Sequence, residues 1–527
     1  MCVATRVLMP LLLASHLAFA AHGAHGFAHR GATVASSPVC SAEFLRVCGN
    51  STADAATCDA CTGKHQSSLR AAGCSAADAR GLCAAAVNGS PRICAVGGGS
   101  SKLVAVRGPC PDGSSRTRVA AVNIFDGMWD ASSAMGSPNP RAPNKDGISI
   151  ANTTAALASA AANNIRAFRM FACLWGPHMS FWVTNETAYW AEFDAVMDEI
   201  ERYPGLHVIL SIGYSSWWWT ANQAFAAQGV NETLNDFILN PSSVGRGLAN
   251  KYFTQIVTRY AKRDCMLLWE LGNELNLQVD LPPPKCGDPT AKCFGIAAMT
   301  KFTAEVVGII RSIDPRRPIS SGMGSPLPCA WHLSRCDHKT NTCPPGATGG
   351  IWGIDSKEQW LEALAEHQAG VDYWSIHLYN THKAVDHGCY FKEAGTNETC
   401  APLTDVIAAA STAASSAGRG LYLGEYGGSN PNFTGPSKES QAYPAAALAL
   451  QVAQAKAAPD ASAFDLSTIW AYMGAWTRIA PWNAVFIFPD SDIPSESGSK
   501  AMLDLIMQAD AALAKPSTST RALELPT

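Results

Sequence analysis

The chain has 527 residues, 47% of them hydrophobic and 16% charged, which supplies a large core and excludes a disordered or collagen-like protein. Its 39 basic and 43 acidic residues leave a net charge of −4 with no Lys/Arg cluster, so nothing marks a nucleic-acid or anionic-membrane surface, and an uncharged partner is expected. The 18 cysteines are many for a reducing compartment.

Residues 1–20 read as a secretory signal peptide. Arg6 precedes an apolar run from Val7 to Leu13, and Ala18 and Ala20 stand at the spacing of a cleavage site. The apolar stretch is broken by Pro10 and His16 and falls short of the ~20 residues a membrane span needs. Asn50, Asn88, Asn152, Asn185, Asn231, Asn397 and Asn432 each open an N-x-S/T sequon, in keeping with a secreted, glycosylated chain. The expected location is extracellular, with no membrane attachment.

Residues 38–96 read as a cysteine-rich module. Cys40, Cys48, Cys58, Cys61, Cys74, Cys83, Cys94 and Cys110 form an even set, expected to pair among themselves. Cys58 and Cys61 form a C-x-x-C, but no second close Cys/His pair accompanies it, so a structural bridge is expected rather than zinc. Gly97-Gly98-Gly99-Ser100-Ser101 opens a linker over 97–117.

From 118 to 515 the texture changes. Apolar runs at 119–125, 165–173, 207–212, 266–271, 318–322, 371–378, 420–424 and 466–472 read as buried strands. They alternate with helix-period segments at 153–162, 188–203, 247–263, 299–313, 357–369, 403–417, 440–458 and 499–513. Eight β-then-α units are the sequence form of a (β/α)8 TIM barrel, an α/β fold, here preceded by the small disulfide-rich module; 516–527 is a tail. A doubly wound sheet is the alternative, but it does not explain why polar and acidic residues gather at the C-terminal ends of the runs. Cys173 and Cys265, beside the second and fourth strands, are expected as free buried thiols, and Cys389 to bridge Cys400. Cys286, Cys293, Cys329, Cys336 and Cys343 compete for two further bridges.

The strand ends carry the candidate chemistry. The fourth run ends Trp269-Glu270-Leu271-Gly272-Asn273-Glu274 and the seventh Leu423-Gly424-Glu425-Tyr426-Gly427. A carboxylate at the end of a buried strand needs partners or a role to offset its desolvation. Two of them on strands four and seven can converge across the barrel mouth, and a carboxylate pair is what glycosidic bond cleavage requires. Glu270 lies deeper on the same face as Glu274 and reads as a buried structural partner. Trp175, Trp217, Trp218, Trp219, Trp352, Trp476 and Trp482 follow strand runs, where flat indole faces suit sugar rings. There is no G-x-S-x-G elbow, no G-x-x-x-x-G-K-[ST] loop, no H-E-x-x-H and no G-x-G-x-x-G after a strand, so neither a metal nor a cofactor is expected.

Taken in order, Trp269-Glu270-Leu271-Gly272-Asn273-Glu274, Asp372-Tyr373-Trp374-Ser375-Ile376-His377-Leu378-Tyr379 and Gly424-Glu425-Tyr426-Gly427 resemble the signatures of family 5 glycoside hydrolases of clan A, the cellulases and endo-β-mannanases. The resemblance implies a retaining hydrolase with Glu274 as acid/base and Glu425 as nucleophile. It further implies that Asn273 holds the sugar 2-hydroxyl, that Arg169 stabilises the Glu425 carboxylate, that His377 and Tyr379 line the cleft with Tyr379 donating toward Glu425, and that Trp470 floors the cleaved subsite. Trp217 and Trp218 are added as stacking residues. The chain departs from the common pattern in having Leu275 rather than Pro after Glu274, and Gly213-Tyr214-Ser215-Ser216-Trp217 after the third strand where a histidine or Asn-Asn-Trp is frequent. Trp269-Glu270-Leu271 and His377-Leu378-Tyr379 resemble the endo-β-1,4-mannanases most. The implied partner is a polysaccharide, mannan or glucomannan ahead of cellulose, met by a monomer; an exo-acting β-glucosidase-like enzyme and an inactive carbohydrate-binding or cell-wall protein are the alternatives.

Overall fold

Three short strands, β1 (Pro91–Val96), β2 (Lys102–Arg107) and β3 (Ser115–Thr117), form an antiparallel sheet in the order β2-β1-β3. Eight more close into a parallel barrel: β4 (Val119–Asn123), β5 (Ala167–Phe171), β6 (His207–Ser211), β7 (Met266–Glu270), β8 (Ile319–Ser320), β9 (Tyr373–Asn380), β10 (Gly420–Gly428) and β11 (Phe464–Ile469), with β11 pairing β4 to complete the circle. The computed structural model describes residues 62–71, 73–75, 91–96, 102–108, 110–111, 114–125, 127–128, 150–172, 176–213, 232–283, 293–380, 389–392, 400–428, 438–458, 464–472 and 498–514. Each of the eight expected runs is a barrel strand. The shortest, β8, stops at Ser320 because Gly322 turns the chain with φ +63°.

Alternate side chains along a strand point to opposite faces, so each barrel strand has an inward row. Val119 and Ala121 of β4, Ala167 of β5, Ile209 of β6, Leu268 of β7, Tyr373 of β9, Tyr422 of β10 and Leu466 of β11 form one buried cluster at the lower end. Farther along the same rows come Asn123, Arg169, Ser211, Glu270, Ser375, His377 and Thr468, all buried. The interior is therefore apolar at the N-terminal end and polar toward the C-terminal mouth.

Helices Ile150–Ala162, Glu186–Glu201, Val244–Tyr260, Ile296–Ile313, Lys357–His367, Leu403–Ser416, Lys438–Ala457 and Gly498–Ala514 surround the barrel where helical periodicity places them. Their starts follow local capping chemistry: Asn185 accepts from the Ala188 N–H, and Ser356 with Gln359 forms a reciprocal capping box. Shorter helices Gly176–Thr184, Leu234–Leu239 and Ala330–Arg335 occupy stretches whose periodicity is too brief to reveal them.

The segment read as a linker is different. Within 97–117, β2 and β3 pair with β1, and Cys94 is bridged to Cys110 across this sheet. The cause is an alternation that the glycine run obscured: Leu103 and Ala105, with Ile93 of β1, bury themselves in the same cluster as the lower barrel interior and close its foot. The Leu103 N–H donates to His207 Nε2 at 3.1 Å, and the Arg107 N–H to the Arg316 carbonyl at 3.0 Å. Asp372, at the start of β9, is 1% exposed and faces Arg107 at 2.9 Å, Arg419 at 3.6 Å and Arg311 in a closer contact.

Cys389 bridges Cys400 as expected, Cys336 bridges Cys343, and Cys74 and Cys293 are also disulfide-bonded. Cys265 is a buried free thiol whose pKa burial pushes up to about 12. Residues 1–20, the tail, Cys173, Trp217, Trp218 and the remaining N-terminal cysteines lie outside the described residues. Among the described residues no helix is long and apolar enough to cross a membrane.

Asp372→Ala leaves three guanidinium groups facing one another without their shared anion. Asp372 is buried but the arginines are partly solvated, Arg107 at 35% and Arg419 at 32% side-chain exposure, so unfolding stability in urea is expected to fall by about 2 kcal/mol, less than for a fully buried pair. A loss below ~1 kcal/mol shows that the foot of the barrel is held by apolar burial alone.

Candidate active site

Glu425 reaches the barrel interior through an irregularity in β10. Leu423 pairs with Ile376 of β9, yet Glu425 pairs with His377, the next residue along, so Gly424 is an extra residue in the ladder. Such a bulge inverts the alternation beyond it and turns Glu425 inward. Glycine is required there: a Cβ on residue 424 would lie 2.8 Å from His377 Nε2 and 2.9 Å from Ser375 Oγ.

Glu274 is placed by another local device. It lies just beyond β7 in the left-handed region, φ 52°, a conformation costly for a residue with a side chain. Its N–H donates to the Gly322 carbonyl at 2.8 Å, which ties the end of β7 to the turn after β8. A Cβ on Gly322 would come within 1.8 Å of the Gly272 carbonyl, so this close approach also depends on glycine. One turn on, the Asn276 Nδ2 donates to the Gly324 carbonyl at 2.9 Å and lies 3.2 Å from His367 Nδ1, fixing the segment from behind.

Arg169 of β5 connects these parts. It is fully buried, with Nε 2.7 Å from Glu270 Oε1, one terminal nitrogen 2.7 Å from Glu425 Oε1 and 3.3 Å from Asn123 Oδ1, and the other 2.9 Å from Asn273 Oδ1. Because the Asn273 oxygen accepts from Arg169, its Nδ2 remains as a donor. The Tyr379 hydroxyl donates to Glu425 Oε2 at 2.5 Å, and burial raises its pKa well above the usual phenol value, so it stays a donor. Both oxygens of Glu425 are thereby held.

His377 Nδ1 lies 3.0 Å from Glu274 Oε1 and 3.6 Å from Glu425 Oε1. Burial pushes His377 down to about 4, so the imidazole is neutral near pH 7. Burial likewise raises the Glu274 pKa, against the opposing pull of Arg169. One atom from each of Glu274, His377 and Glu425 falls within 4.8 Å of the others. The three could ligate a cation in type and spacing, but Arg169 already places a positive charge 2.7 Å from Glu425 Oε1 and opposes a second one.

Trp470 directly follows β11, its ring stacked on Phe125 with centroids 4.5 Å apart and 6.2 Å from Phe171, while the Arg169 guanidinium lies 4.6 Å over Phe171. Arg169, Asn273, Glu274, His377, Tyr379, Glu425 and Trp470 are thus brought to one end of the barrel; Trp217 and Trp218 fall outside the described residues. Two participants are absent from the sequence reading. Asn123 ends β4 and donates to the carbonyls of Gly424 and Thr468, both at 3.0 Å, and its position at a strand end is a signal that could have found it. Tyr390, in the loop closed by Cys389–Cys400, accepts from the Tyr379 N–H at 3.5 Å; nothing local in the sequence marks it.

The (β/α)8 barrel thus carries a carboxylate pair at its mouth, the side-chain set that glycosidic bond cleavage uses. The sequence model of the family described as Cellulase (glycosyl hydrolase family 5) matches residues 133–464, and the chain belongs to that family. Among solved structures, a glycoside hydrolase family 5 mannosidase from Rhizomucor miehei is 13% identical, with 80% of this chain and 97% of that one covered at a TM-score of 0.49. The endo-beta-1,4-mannanase of Thermotoga petrophila is 14% identical, covering 77% and 78% at 0.47, and the beta-1,4-D-mannanase of Cryptopygus antarcticus 12% identical, covering 80% and 94% at 0.43. No curated protein matches the chain by sequence.

His367 and His377 are both depressed by burial from 6.5 to about 4. The folded state therefore binds fewer protons than the unfolded one, and the stability involved is present above pH 6.5 and lost as pH falls through 4. The urea midpoint is expected to drop across this window. His367→Gln, whose amide oxygen still accepts from Asn276, is expected to flatten part of that drop; an unchanged slope rules out a buried neutral His367.

Proposed function

We propose that the protein is a secreted, retaining endo-β-glycanase acting on β-1,4-linked mannan or glucomannan, with Glu425 as nucleophile and Glu274 as acid/base. The observation that carries this reading is the approach of the two glutamates, one oxygen of each within 4.8 Å of the other. Carboxyl groups about 5–5.5 Å apart suit double displacement, whereas an inverting enzyme needs about 6.5–9.5 Å to admit a water between them.

In the first step a Glu425 oxygen attacks the anomeric carbon while Glu274 gives its proton to the departing glycosidic oxygen. In the second, Glu274 takes a proton from water, which attacks the same carbon and releases Glu425. The environments divide the roles. Glu274 has its protonated form favoured by burial and one hydrogen-bond partner in neutral His377. Glu425 is aimed by Arg169 and by the Tyr379 phenol. Asn273 Nδ2 supplies a donor for the sugar 2-hydroxyl and Trp470 supplies the apolar floor. The preference for mannan rests on Trp269-Glu270-Leu271 and His377-Leu378-Tyr379; secretion rests on the N-terminal signal pattern and is supported by the disulfides.

Glu425→Ala is expected to abolish turnover. Glu274→Ala is expected to slow natural polysaccharides by about 10²–10⁴-fold while sparing aryl glycosides with good leaving groups, which need no protonation. Since Glu274 must be protonated to act and its pKa is raised, the basic limb of the rate profile should lie above the ordinary carboxylate range, with activity lost as pH rises through it. Product analysis on mannan, glucomannan, cellulose, xylan and β-1,3-glucan tests the substrate; retention of full activity by Glu425→Ala overturns the assignment.

A further inference from the structure

Glu270 takes no part in the steps above, yet its carboxylate is fully buried in the barrel interior, beneath the mouth. Its Oε1 is 2.7 Å from both Nε and a terminal nitrogen of Arg169, whose other terminal nitrogen is 2.7 Å from Glu425 Oε1. One guanidinium thus faces two carboxylates from opposite edges, and Asn123 and Asn273 use the remaining donors. Gly322 makes room for this arrangement: a Cβ there would lie 2.6 Å from Cγ and Cδ of Glu270. A carboxylate that served only as filler would not need both a dedicated cation and a neighbour reduced to glycine.

We propose that Glu270 is a positioning residue that divides the charge of Arg169 between itself and Glu425, so that Arg169 aims the nucleophile without quenching it. This rests on Glu425 being the nucleophile. With its whole charge directed at Glu425, Arg169 would over-stabilise the attacking carboxylate and slow the attack; with a further anion beside it, Arg169 would hold Glu425 less strongly. The other ionisable groups facing the cluster are Tyr422 of β10, Tyr379 and His377 of β9, and Glu274 beyond β7. Burial keeps the two phenols and the imidazole neutral, so none of them can replace Glu270 as the second anion; burial raises the Glu270 pKa too, but there the Arg169 guanidinium at 2.7 Å pulls the other way and favours the carboxylate.

The test is the pH dependence of trapping by 2-deoxy-2-fluoro-β-D-mannosyl fluoride, in which the nucleophile forms a glycosyl ester as the carbon–fluorine bond breaks and fluoride leaves. Glu270→Gln keeps an oxygen to accept from Arg169 but removes the charge. Its acidic limb is expected about one pH unit lower than that of the parent, with a plateau rate about tenfold slower. Asn273→Asp adds an anion on the same guanidinium and is expected to move the limb upward, which provides the test from the other side should Glu270→Gln not fold. Limbs unmoved in the folded variants overturn the inference and leave Glu270 a structural ion. Mass spectrometry of the trapped protein separates the two layers: a label on a carboxylate other than Glu425 overturns the nucleophile assignment itself.

Discussion

One buried cation organises the mouth of this barrel. Arg169 has no access to water, so each of its donors must find an acceptor within the protein, and those acceptors come from β4, β7, the segment beyond β7, and β10. Elements far apart in sequence are thereby held to one another by charge-assisted bonds, which are shorter and stronger than neutral ones. The position of Glu425, the orientation of the Asn273 amide and the burial of Glu270 all follow from satisfying this group.

Around it, the backbone departs from regularity where the side chains must converge. The extra residue in β10 turns Glu425 inward, the left-handed Glu274 brings its carboxyl to the mouth, and Gly322 admits the approach of the β7 and β8 ends. Each departure costs free energy locally and persists only because the surrounding sheet over-determines it. Below them lies the apolar layer of the lower barrel, closed at its foot by the three-stranded sheet.

The two glutamates differ in what surrounds them. Glu274 is 29% exposed on its side chain and has a neutral imidazole for company, whereas Glu425 is 6% exposed and contacted by a guanidinium and a phenol. A pair of identical side chains is thus given two environments, which is what the proposed division into an acid and a nucleophile requires.

Sequence alone was sufficient for the barrel and for the main participants in its mouth. The eight apolar runs alternate with helical periodicity, and the polar and acidic residues gathered at their C-terminal ends favour a barrel over a doubly wound sheet. Glu274 and Glu425 were readable for that reason, and His377 in part, whereas Arg169, Asn273 and Tyr379 were named through the resemblance of the motifs to family 5 glycoside hydrolases. The N-terminal sheet was not, because the apolar residues of β2 have meaning only against the open foot of a barrel that the local sequence does not contain. Nor was the contact of Tyr390 with the Tyr379 backbone, which exists only once a disulfide loop folds back over β9. Above all, the tertiary structure decided which acidic residue faces which partner: Glu270, Glu274 and Glu425 are chemically alike along the chain, and only the three-dimensional placement of one arginine, one imidazole and one phenol makes them different.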